Sequence, residues 1–290
     1  MKDKINVEGK HIFHNAFVQA SAVVCEGAVV HGSAAVYGNA HVGGYAVVCD
    51  NATVRGKARV YQDARVSGNA VVRGNATVRG SALVYGDAKV TEDSVVSEDA
   101  RVYQDAHVGE RAELYGCAVV YGCTVVYGEA HVCGRAEVSG NALVSGCARV
   151  FDNAQVRGHS KVNGNAKVYD DAQVDGFAMV YENAQVYGRA RVAGPAEPWG
   201  VTRVSGCARV FDAAVVSRNA EVSGNAQVYG NAVVYDNAMV FGDACIGGTA
   251  KILGGVWDGS EGEITEGTWM APGVPYEAEE EDENRQRSNN

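Results

Sequence analysis

A six-residue repeat runs through most of this chain without a slip, and few folds can accommodate it. From Ile12 to Ile252 every sixth residue is Val, Ile or Leu at 40 of 41 positions, the exception being Pro198. Two residues before each of them, from Val18 on, stands a small residue: Ala16, Ala22, Ala28 and so on to Ala250, replaced only by Ser94, Thr124, Ser160 and Thr202. Turn pairs such as Gly38-Asn39, Gly68-Asn69 and Gly230-Asn231 separate the units.

Residues two apart on a strand share a face, so Ala and Val point inward and their neighbours outward. Gly followed by Asn suits a sharp corner, because both adopt positive φ readily. One unit is therefore a short strand and a corner. It cannot bury its apolar side alone, and stacked units can.

The unit Tyr-Gly-Asn-Ala-x-Val resembles the hexapeptide-repeat left-handed β-helix superfamily, in particular bacterial and phage-borne β-solenoids of unassigned role. That resemblance implies an all-β, three-sided parallel solenoid with a left hand, in which three units, ~18 residues, close each coil. On this reading residues 1–11 form an N-terminal cap and 12–253 an uninterrupted rod of about 13–14 coils. Residues 254–276 form a capping segment in which Ile264 and Met270 keep the six-step and Asp258 breaks it. Residues 277–290 form an acidic disordered tail.

The chain carries a net charge of −10. Residues 256–290 hold ten acids against two bases, a net of −8, which leaves −2 for the rest. Six bases (Arg55, Lys57, Arg59, Arg65, Arg73, Arg79) oppose Asp63 in 55–79, and 91–113 carries a net of −5. Six bases spread around three faces make a poor nucleic-acid footprint, and a body near neutrality is no DNA mimic. No apolar run reaches the length of a membrane span, and the start lacks the apolar core of a secretory signal. The eight cysteines include no pair 18 apart, the spacing that would bring two Cα atoms within disulfide reach. A cytoplasmic protein without membrane association or a metal site is expected.

Residues 18 apart stack in such a coil. This predicts outer aromatic ladders Tyr85–Tyr103–Tyr121 and Phe151–Tyr169–Tyr187, and a neighbouring pair Tyr181–Trp199. These eight residues are the candidate binding surface, either bracing the coil or meeting a partner. Pro195 and Pro198 remove backbone donors and should loosen the ladder locally.

Enzymes of the superfamily are mostly trimeric acyltransferases that use acyl-CoA or acyl-carrier protein, with a histidine as general base beside an inserted loop. Of the seven histidines, His107 and His131 face outward just before a core Val and are the candidates for that role. The sequence departs from the pattern: no loop interrupts 12–252, and no histidine has both an orienting carboxylate and a second histidine on adjacent rungs. The expected function is a non-enzymatic scaffold or protein-binding rod without cofactor, self-associating (a trimer being one form) or meeting a protein partner. The alternative is a trimeric acyl-CoA-dependent O- or N-acyltransferase.

Overall fold

The computed structural model describes residues 11–12, 15–194, 196–198, 200–271 and 274–275. The expected N-terminal cap, apart from His11, and the acidic tail lie outside them. Among the described residues there is no helix, and so none long and apolar enough to cross a membrane. Two-residue strands recur at every repeat from His11–Ile12 to Lys251–Ile252. Each but Met179–Val180 pairs in parallel with the third strand along, so Val36 lies opposite Val54 and Val72 opposite Val90. The chain is thus a three-sided parallel β-solenoid of about 14 coils, with three repeats to a coil.

Its faces are a 15-stranded sheet, a 14-stranded sheet, and a third face split into sheets of ten and six strands. The interior is a dry column of Val and Ala with exposures of essentially zero. Side-chain burial in so narrow a coil does not by itself offset the ordering of the whole backbone. The ladder between coils supplies the remainder: Ala35 N–H donates to Ala52 C=O at 2.9 Å, Tyr37 to Val54 at 2.8 Å and Asn39 to Gly56 at 2.8 Å.

The corners hold a regularity that the Gly–Asn pattern hides. The first corner position takes positive φ even where it is not glycine, as at Asp50, Gln62, Glu92, Glu98 and Asp170. At these corners the side-chain oxygen accepts the backbone N–H of the corner one coil on. The pairs include Asp50 with Gly68 (3.0 Å), Gln62 with Gly80 (2.7 Å), Glu92 with Glu110 (2.7 Å) and Asp170 with Gly188 (3.0 Å). That bond offsets the strain of left-handed backbone in a non-glycine residue. The second corner position builds amide ladders, as in Asn51–Asn69–Asp87 at 3.1 and 2.9 Å.

The third face divides between Met179–Val180 and Glu197–Pro198. Pro198 is buried in the slot of a core Val, and without an N–H it cannot complete the ladder. The flanking bonds persist: Met179 N–H donates to Ala196 C=O at 2.9 Å and Tyr181 N–H to Pro198 C=O at 3.1 Å. Among the described residues the fault is therefore one missing rung, and Pro195, the other expected lost donor, lies outside them.

Beyond Ile252 the register slips by one residue on two faces, which corrects the six-step expected at Met270, while Ile264 keeps it opposite Ile246. Val240 pairs with Trp257, and Ile252 with Trp269. Trp257 is fully buried in the core slot, and Met270 is 52% exposed. A ring wide enough to close the end of the column takes the interior in place of an aliphatic. Thr268–Ala271 then pairs antiparallel with Val274–Pro275.

Candidate functional site

Each core Val is flanked by two outward residues. The one after Val meets its equivalent on the next coil and also, diagonally, the residue before that coil's Val. Tyr85, Tyr103 and Tyr121 stack on the 15-stranded face with ring centroids 4.8 and 4.9 Å apart and planes within 4° of parallel. Tyr121 donates through its hydroxyl to Glu137 at 2.8 Å, along that diagonal. Phe151, Tyr169 and Tyr187 stack likewise on the 14-stranded face at 4.9 Å per step, and Tyr169 meets Gln185 at 3.3 Å. The spacing of 18 places these six rings correctly; the diagonal partners escape a search at 18 alone.

All six rings are half-buried. Burial first, then the neighbouring phenols Tyr85 and Tyr121, pushes the Tyr103 hydroxyl above its usual range. Burial does the same for Tyr169 and Tyr181. Tyr181 donates to Met179 Sδ at 2.8 Å. Its expected neighbour Trp199 lies outside the described residues.

The two candidate histidines stand on different faces, His107 in the ten-stranded sheet and His131 in the 14-stranded sheet, so they do not form one site. His107 Nε2 lies 3.0 Å from Thr91 Oγ1. Burial, then Lys89 and Arg73, holds this imidazole below its ordinary range, with Glu92 opposing. His131 Nδ1 lies 3.6 Å from Glu113 Oε2, on the preceding rung. That carboxylate sits one full coil before His131, and the stacking rule, applied to charges as well as rings, finds it. Tyr115 meets His131 edge-on, with centroids 6.4 Å apart. The Tyr115 hydroxyl also hydrogen-bonds Cys133, and this bond, with burial, pushes the phenol up to about 12. Burial raises the Cys133 thiol, against the pull of the same bond. Chemically the group can position a proton; no inserted loop among the described residues builds a pocket over it.

All eight cysteines are free thiols. Among the described residues no three of His, Cys, Asp and Glu converge as a metal ion would require. The surface depressions are open clefts, and one of about 680 Å³ runs from Cys25 to Tyr61.

Residues 58–74 and 226–240 match the family model of the YdcK beta solenoid repeat. The chain is a β-solenoid repeat protein. No curated protein sequence matches it. Among solved structures it is similar to the UDP-N-acetylglucosamine acyltransferase of Francisella novicida, at 12% identity and a TM-score of 0.31. The match spans 61% of this chain and 66% of that one.

Proposed function

We propose that this β-solenoid is a non-enzymatic rod whose outer aromatic ladders meet a sister subunit or a protein partner. The observation that carries the reading is the Tyr85–Tyr103–Tyr121 stack, three parallel rings with no loop among the described residues covering them. Aromatic rows held by the backbone lose little entropy on binding, which suits them to anchor an interface. Replacing all three with Ser should leave the β-signal in circular dichroism intact and lower the assembled mass in light scattering or abolish partner binding. If both stay unchanged, the ladder only braces the coil.

A second reading, a trimeric acyltransferase using acyl-CoA, is favoured by one observation: Glu113 stands where it could orient His131 as a general base. Acyl-CoA should then raise the melting temperature of the wild type and not of His131→Gln. No shift in either removes this reading.

A further inference from the structure

We propose that the cleft over Gly43 is a binding site for a small anionic electrophile, with Cys25 as nucleophile and His41 as its base. Cys25 Sγ lies 3.4 Å from His41 Nε2, a thiol and an imidazole in hydrogen-bond contact across adjacent coils. A thiol is reactive only as thiolate, and a neighbouring imidazole that takes its proton makes it so. Between Cys25 and Tyr61 the outward column is interrupted by Gly43. A Cβ there would stand 3.0 Å from His41 Cε1 and 3.5 Å from Cys25 Sγ. The glycine thus leaves an opening one coil deep beside both reacting groups.

The cleft also carries Lys57 and Arg59, and among the described residues no carboxylate lines it. Two cations beside a nucleophile select for a ligand bearing a carboxylate or a phosphate. A similar arrangement on another face lacks this feature. There Thr91, His107 and Gly109 repeat the pattern, but Glu92 Oε2 lies 3.8 Å from where a Cβ of Gly109 would be. A hydroxyl replaces the thiol and a carboxylate stands at the opening, so the Cys25 cleft is the one suited to an anion.

The step balances without a co-reactant. The Cys25 thiol proton passes to His41 Nε2, and the sulfur bonds to the ligand's electrophilic carbon. The bond from that carbon to its leaving group breaks, the leaving group keeps the electron pair, and His41 releases the proton to it or to water.

Exposure alone predicts the opposite reactivity order, because Cys117, Cys123, Cys147 and Cys207 are exposed and Cys25 is only partly so. The test is alkylation of the full chain at neutral pH, read cysteine by cysteine in peptide mass spectra. Iodoacetate should modify Cys25 about tenfold faster than the four exposed thiols. His41→Gln should bring Cys25 to their rate or below with both iodoacetate and neutral iodoacetamide. Lys57→Gln with Arg59→Gln should slow iodoacetate severalfold and leave iodoacetamide within about twofold. The other cysteines report that each variant remains folded. Protection of Cys25 by inorganic phosphate marks a phosphate-bearing ligand, and by acetate a carboxylate-bearing one. The proposal fails if Cys25 is no faster than the exposed thiols, if the cation variant slows both reagents equally, or if neither anion protects.

Discussion

Thr124 occupies an interior slot that Ala fills in nearly every other unit, and its Oγ1 is buried without a hydrogen-bond partner. Other hydroxyls in that slot are satisfied: Ser94 and Ser160 each donate at 2.7 Å to the carbonyl three residues back, of Thr91 and Arg157. An unpaired buried hydroxyl costs about 1–3 kcal/mol. Thr124→Ala should therefore stabilise the protein by ~1 kcal/mol in urea unfolding, and Ser160→Ala should not. At the corners the sign reverses. Gly80 has φ +70°, and a Cβ on it would lie 2.6 Å from Glu98 N, so Gly80→Ala should destabilise by about 1–3 kcal/mol in the same assay. His107 adds a pH dependence. Its folded pKa is held below 6.5 by burial and by Lys89 and Arg73, so the unfolded chain takes up the proton first. The stability it contributes is complete above about pH 6.5 and is lost as pH falls through the lower folded value. His107→Gln should flatten the acid limb of stability against pH, and in NMR the wild-type His107 ring should titrate below 6.5.

At the scale of the strand, Pro198 is the one place where the third face divides. Restoring the N–H with Pro198→Val should rejoin the ten- and six-stranded sheets and stabilise by ~1 kcal/mol. Hydrogen exchange of the Met179 and Tyr181 amides reads this directly, since both donate into the Pro198 segment. Their exchange should slow in the variant, whereas an unchanged rate would mean that the missing rung leaves the stack as tight as elsewhere. The register slip near the C-terminus obeys the same rule that sets the rest of the ladder. The stack keeps parallel pairing and shifts by a residue so that Trp257, and not Asp258, enters the column.

The whole molecule is a stack whose last strand edge would be free to pair with another rod. After Trp269 the chain turns back in an antiparallel pair, which occupies that edge on one of the three faces. Truncation after Leu253 should expose it together with the open Val and Ala column, and light scattering should show concentration-dependent association absent from the full chain. The exposed ion pairs, such as Arg111–Glu129 at 2.9 Å and Arg218–Asp236 at 2.8 Å, contribute little to stability. High salt should accordingly leave the melting temperature nearly unchanged.

The hexapeptide pattern by itself determined the interior. Alternation fixes which residues point inward, and Val at every sixth position fixes where the column lies. The stacked rings of Tyr85, Tyr103 and Tyr121 then follow from the repeat once three units close the coil. The tertiary structure decided what depends on neighbouring coils along the diagonal and at the corners. Cys25 and His41, or Tyr121 and Glu137, lie on different strands of successive coils and off the stacking period, so no local pattern marks them as partners. Likewise the carboxylates that cap the next corner read as ordinary surface charge. Outward residues carry no periodic apolar signal, and their meaning comes only from which side chains the stacking of coils sets beside them.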